Sequence, residues 1–134
     1  MVEEFISGRE FTIGVYKAND EIVALPITEI ISQKEFFDYE AKYLGMSEEV
    51  TPANLDGVIA KQIADAAKKI YQVFNCNGVV RIDFIYNEAL QQPFMLEINT
   101  VPGQSSASII PQQVKAKGLT LTSFYSDLIE TCFS

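Results

Sequence analysis

Two short segments alternate regularly enough to fix which of their side chains share a face. Val79 to Tyr86 and Phe94 to Asn99 both read as strands, separated by turn residues from Asn87 to Pro93. Successive side chains of a strand point to opposite faces, so Val80, Ile82 and Phe84 share one face and Arg81 and Asp83 the other. In the second segment Phe94, Leu96 and Ile98 share a face, with Glu97 and Asn99 opposite. Pairing the two as a hairpin with Tyr86 opposite Phe94 sets Asp83 against Glu97 and Arg81 against Asn99. Opposed Cβ atoms lie about 4.5–5.5 Å apart, and like charges so placed destabilise a sheet. A divalent cation resolves the conflict: Mg²⁺ takes oxygen ligands, commonly one or two carboxylates with phosphate and water, and Asn99 adds an amide oxygen on the same rim. The same residues also suit a solvated sheet face on which Arg81 makes ion pairs with Asp83 and Glu97.

The rest of the chain supplies what such a sheet packs against. Phe11 to Tyr16 and Ile22 to Ile31 are rich in β-branched and aromatic residues, with turn residues from Lys17 to Asp20, which predicts a hairpin or meander. Ser32 to Ala53 is polar and aromatic, with Phe36, Phe37, Tyr39, Lys42 and Tyr43, and reads as a long functional connection. Leu55, Val58, Ile59, Ile63, Ala66, Ala67, Ile70 and Phe74 recur at helical spacing, capped by Asn54 or Thr51 and ending near Asn75 to Gly78. A short helix over Pro111 to Lys117 and a last one over Leu121 to Cys132 close the chain. The expected class is α+β, an antiparallel β-sheet flanked by helices, in one domain of 134 residues.

Composition removes several functions. With 18 acidic and 10 basic side chains the formal net charge is −8, which argues against nucleic acid or an anionic membrane surface as partner. A phosphate ligand then needs a local cation. There is no histidine, so histidine-dependent triads and zinc sites drop out. Cys76 and Cys132 read as free thiols of a reducing compartment. The first residues lack the pattern of a signal peptide, and no run approaches the roughly 20 apolar residues of a membrane span. The expectation is a cytoplasmic protein.

The loop after the second strand strengthens the ligand reading. Thr100-Val101-Pro102-Gly103-Gln104-Ser105-Ser106-Ala107-Ser108 offers an unobstructed Gly103 N–H and several hydroxyls, suited to a carboxylate or a developing oxyanion. Together Arg81-Ile82-Asp83-Phe84, Met95-Leu96-Glu97-Ile98-Asn99-Thr100-Val101-Pro102-Gly103 and Ser106-Ala107-Ser108-Ile109-Ile110-Pro111 resemble the carboxyl-terminal signature of D-alanine–D-alanine ligases, members of the ATP-grasp superfamily. Val2 to Thr12 resembles the family's adenine-binding hinge and Asp38 to Tyr43 its active-site loop, so the likeness runs along nearly the whole chain.

That resemblance implies the carboxyl-terminal ATP-grasp subdomain and its chemistry: ATP converts one D-alanine to an acyl phosphate, which the amine of a second D-alanine attacks. It assigns Asp83, Glu97 and Asn99 to two Mg²⁺ ions, with Glu97 as the bridge and Mn²⁺ as a substitute ion. Arg81 would stabilise the acyl phosphate and tetrahedral intermediate, and the Gly103 N–H would complete an oxyanion hole. Ser108, with Ser106 beside it, matches the site of the second D-alanine's carboxylate. Glu3, Phe5 and Ile6 match the adenine hinge and Glu10 the ribose contact. Lys42 matches a phosphate contact, and Tyr43 the neighbour that closes the site. The family further implies peptidoglycan precursor synthesis and a homodimer of the complete enzyme. Gln104 and Ala107 depart from a common family version, leaving D-alanine, D-lactate and D-serine open as second substrate. Glu4 stands where some members carry lysine. Another ATP-grasp carboxylate–amine ligase and a non-catalytic binding domain are the alternatives. Residues 1–134 would be the carboxyl-terminal domain alone, without the amino-terminal and central domains, and with little or no ligase activity by itself.

Overall fold

Six antiparallel strands build around Arg9–Ala18 (β1) in a computed structural model that describes residues 8–18, 20–31, 48–100, 102 and 108–132. The others are Glu21–Ala24 (β2), Thr28–Ile31 (β3), Glu48–Val50 (β4), Val80–Asn87 (β5) and Gln92–Asn99 (β6). The order is β4-β3-β1-β5-β6, and β2 also pairs with β1. Three helices complete the described chain: Gly57–Val73 (α1), Ile109–Ala116 (α2) and Leu121–Cys132 (α3). The expected α+β class and antiparallel sheet are therefore present.

The run from Ile22 to Ile31 does not form one strand. Pro26 has no N–H to give to a ladder, and β1 changes partner across this point, pairing Thr12 with Thr28 but Val15 with Ala24. Gly14 sits at the change. Its C=O accepts from the Leu25 N–H at 2.8 Å, and a Cβ there would come within 2.5 Å of Ile110 Cδ1. A larger residue there would have to push aside the buried Ile110 and Leu25 side chains and the Gln113 amide.

Alternation divides the sheet into two faces. Phe11, Ile13 and Val15 of β1 and Val80, Ile82 and Phe84 of β5 form a core with Ile63, Ala67 and Tyr71 of α1. On the reverse face Tyr16 and Leu25 pack against Ile110 and Val114 of α2 and Phe124 of α3, whose ring meets Tyr16 edge-on at 4.9 Å. The cap of α1 lies later than Asn54 or Thr51: Asp56 accepts from the Val58 N–H at 2.9 Å. Of the expected caps, the Thr51 side chain is engaged with the Thr28 hydroxyl at 2.6 Å, and the Asn54 backbone carbonyl accepts from Arg9 at 3.0 Å. No described helix is long and apolar enough to cross a membrane.

Past α1, Asn75 (φ 50°) and Gly78 (φ 67°) turn the chain into β5, and the buried Tyr71 hydroxyl donates to the Gly78 carbonyl at 2.7 Å. Burial, with a smaller push from the Cys76 thiol, raises Tyr71 above its ordinary value of 10.0. The folded state therefore holds this proton more tightly than the unfolded chain does. The resulting stability is complete below about pH 10 and is lost as pH rises through the folded value. Tyr71→Phe is expected to cost about 0.5–1.5 kcal/mol at neutral pH. It should also flatten the fall of the thermal midpoint above pH 10. An alkaline limb as steep as that of the unaltered chain would contradict this assignment.

Candidate functional site

The β5–β6 hairpin sets the chemistry. Asp83 lies opposite Glu97 and Arg81 opposite Asn99, the expected pairing. The route to it differs, because Tyr86 faces Pro93 rather than Phe94, and Phe84 faces Met95. Leu96 is the extra residue of a β-bulge. Phe94 consequently lies opposite Ile85, on the face of Asp83, and Leu96 is 51% exposed. Neither shares the apolar face of Ile98, a correction to the simple alternation. The turn register alone would have set Glu97 opposite Ile82; the bulge returns its carboxylate to Asp83.

Asp83 is held from two sides. Thr12, its partner across the β1–β5 ladder, donates from Oγ1 to Asp83 Oδ1 at 2.6 Å. Arg81 reaches the same carboxylate with Nε at 3.2 Å from Oδ1 and Nη2 at 3.4 Å from Oδ2. The Arg81–Asp83 ion pair is half-buried and Glu97 is exposed. The ion pair expected of a solvated sheet face thus exists for Asp83, and none joins Arg81 to Glu97 among the described residues.

Two adjoining cavities share Arg81 and Ile109. One, of about 240 Å³, is lined by Glu10, Thr12, Asp83, Leu96 and Glu97 among others. The second, of about 150 Å³, is bounded by Glu49, Pro102, Ser108 and Ile110. Ser108 is the N-cap of α2, with extended backbone (φ −75°, ψ 160°), and its side chain makes no capping bond. Its hydroxyl and the first N–H groups of α2 suit an anion beside Arg81. A larger apolar cavity of about 380 Å³ lies elsewhere, between the β2–β3 connection and α1.

Of the residues chosen from sequence, Glu10, Arg81, Asp83, Glu97 and Ser108 line the two adjoining cavities, and Asn99 stands across from Arg81. Glu3, Phe5, Ile6, Lys42, Tyr43, Gly103 and Ser106 lie outside the described residues. No group of three or more His, Cys, Asp or Glu able to hold a metal occurs among the described residues. Two carboxylates and the Asn99 amide would be hard oxygen donors, a set that fits Mg²⁺ better than a softer ion. Sequence reasoning missed Thr12, Leu96 and Gln113. Three apolar residues in a row, Phe94-Met95-Leu96, were the signal of the bulge, and Thr12 stands on the same strand face as Glu10.

Residues 1–130 match the family model described as D-ala D-ala ligase C-terminus. The chain is 46% identical to a D-alanine–D-alanine ligase of Phocaeicola vulgatus, over 99% of its own length and 41% of that protein. It is 43% identical to the Flavobacterium johnsoniae ligase, over 97% of its length and 40% of the relative. Among solved structures, the VanG D-Ala:D-Ser ligase of Enterococcus faecalis superposes with a TM-score of 0.82 at 32% identity, covering 96% of this chain and 37% of that one. A Bacillus anthracis D-alanine–D-alanine ligase complexed with ATP gives 0.77 at 26% identity, covering 96% and 39%.

Proposed function

The chain belongs to the D-alanine–D-alanine ligase family, matching its carboxyl-terminal region, and from that premise we propose that it forms the ATP- and Mg²⁺-facing part of a site that joins two D-alanines through an acyl phosphate. The observation that carries this reading is the Arg81 guanidinium beside Asp83, with Glu97 across the strand, at the junction of two cavities. One cavity takes the nucleotide end and the other the D-alanine carboxylates.

Asp83, Glu97 and Asn99 would hold Mg²⁺, which supplies positive charge next to the transferring phosphoryl group. Arg81 presents a planar fork of donors, so it can follow the carboxyl oxygens from acyl phosphate to tetrahedral intermediate. The Gly103 N–H would share that oxyanion. Ser108 and the α2 N-terminus would fix the carboxylate of the second D-alanine and thereby aim its amine. Glu10 would take the ribose hydroxyls and Glu3, Phe5 and Ile6 the adenine edge, while Lys42 and Tyr43 would close over the phosphates. A cytoplasmic location, a homodimeric complete ligase and a role in peptidoglycan precursor synthesis belong to the same reading and rest on the family resemblance.

The chain spans about two fifths of the curated relatives it matches, 41% of the first, so the test needs the remainder supplied. Substituted for the matching segment of the Phocaeicola vulgatus ligase, it is expected to support ATP-dependent D-alanyl-D-alanine formation, with ADP and phosphate released together. A folded chimera that hydrolyses and ligates nothing would sink the reading. The likeness to the D-Ala:D-Ser ligase favours a second possibility at the acceptor side. Offering the chimera D-serine and D-lactate beside D-alanine distinguishes the two.

A further inference from the structure

The two oxygens of Asp83 are not held alike. Oδ1 accepts from the Thr12 hydroxyl at 2.6 Å and from Arg81 Nε at 3.2 Å, whereas among the described residues Oδ2 meets only Arg81 Nη2, at 3.4 Å. Charge-assisted bonds of a guanidinium to a carboxylate usually measure about 2.7–2.9 Å, so the arginine contact is loose and the hydroxyl contact tight. In the function proposed above, Asp83 must face a cation and Arg81 must turn to a substrate oxygen. A group that is neither ion nor substrate partner has to keep the carboxylate oriented throughout that change.

Thr12 is built for this. It is 2% exposed and directly opposite Asp83 in the β1–β5 ladder. Its β-branched side chain restricts the rotation that would swing the hydroxyl away. Its own carbonyl is pinned by Gln113 Nε2 at 3.0 Å, which ties the strand to α2. We propose that Thr12 is a positioning residue for the metal-binding carboxylate: its hydroxyl occupies Asp83 Oδ1, presents Oδ2 to the cation, and lets Arg81 leave without the carboxylate following. The inference rests on Asp83 being a Mg²⁺ ligand.

The probe is Mn²⁺ alone, titrated into the 134-residue chain and followed by the loss of its free-ion EPR signal. Thr12→Val keeps the branched shape and deletes the hydroxyl, and it should weaken Mn²⁺ binding about tenfold, as loss of a ligand's hydrogen-bond partner commonly does. Thr12→Ser restores the hydroxyl and should stay within about threefold of the unaltered chain. If Thr12→Val does not fold, Thr12→Ala makes the same deletion in a smaller side chain. Equal Mn²⁺ affinity with and without the hydroxyl, while Asp83→Asn abolishes binding, overturns the positioning role and leaves the metal reading intact. Equal losses in the Ser and Val variants also overturn it. No Mn²⁺ binding by the unaltered chain, or undiminished binding by Asp83→Asn, removes the metal reading and this inference with it.

Discussion

Glu97→Gln is expected to weaken Mn²⁺ binding by about a hundredfold or more while making the metal-free chain slightly more stable. The two effects share one cause. Asp83 and Glu97 are direct partners across the β5–β6 ladder, and like charges so opposed cost the sheet on the order of 0.2–1 kcal/mol. Asp83 is compensated by the Thr12 hydroxyl and Arg81, whereas Glu97 is exposed and has no ion-pair partner among the described residues. The amide of Gln removes the repulsion and keeps the size. It also removes a charged oxygen donor, and losing even a ligand's hydrogen-bond partner commonly costs about 10–100-fold in metal affinity, so losing the ligand should cost at least that. Mn²⁺ titration reads the first effect and thermal unfolding at low salt the second, where the stabilisation should shrink as salt screens the pair. A less stable metal-free variant with unchanged Mn²⁺ affinity would mean that Glu97 serves the sheet and not an ion. Reversal of the sign of either effect is enough to reject the shared cause.

The hairpin that carries this argument was legible in sequence because a period of two survives wherever one face is buried. Val80, Ile82 and Phe84 alternate with Arg81 and Asp83, and each apolar member is at most 1% exposed. The bulge was not legible by that rule. Phe94-Met95-Leu96 breaks the alternation with three apolar residues but does not say which of them is extra, and extending the pairing from Tyr86 reached Asp83–Glu97 by an incorrect route. The division of Ile22 to Ile31 was hidden for a related reason. The residues favour strand on both sides of Pro26, which was the one local sign of a break, while the change of partner on β1 that goes with it has no local pattern. Thr12 and Gln113 escaped because each reads locally as an ordinary strand or helix residue, and their partners lie 71 and as many as 101 positions away in sequence. The contacts that orient the acidic residues are long-range, whereas the acidic residues themselves announce their spacing.

Gln113→Leu should be the most destabilising of these substitutions, because Gln113 closes the gap left where β1 exchanges partners. Its side chain is fully buried. Oε1 accepts from the Gly14 N–H at 2.8 Å, and Nε2 donates to the Thr12 carbonyl and the Thr28 hydroxyl, both at 3.0 Å. Leu fills nearly the same volume but satisfies none of these groups. An orphaned buried donor or acceptor costs about 1–3 kcal/mol. The Thr28 hydroxyl keeps Thr51 at 2.6 Å, so Gly14 and Thr12 set the loss at about 2–6 kcal/mol. Against a whole-domain stability of about 5–15 kcal/mol, that is a large share. The expected thermal shift is about 10 °C or more downward. Gln113→Glu separates hydrogen bonding from packing. Ionised, its carboxylate accepts from Gly14 but donates nothing to Thr12, and burial raises its folded value above that of the unfolded chain. Its stability relative to the unaltered chain should therefore be present at low pH, where the carboxyl both donates and accepts, and be lost as pH rises through the folded value. The Leu variant should show no such recovery. If Leu instead matches the unaltered chain in thermal midpoint, the two backbone groups are satisfied without Gln113. The anchor of Thr12, and through it the orientation of Asp83, must then be sought elsewhere on β1.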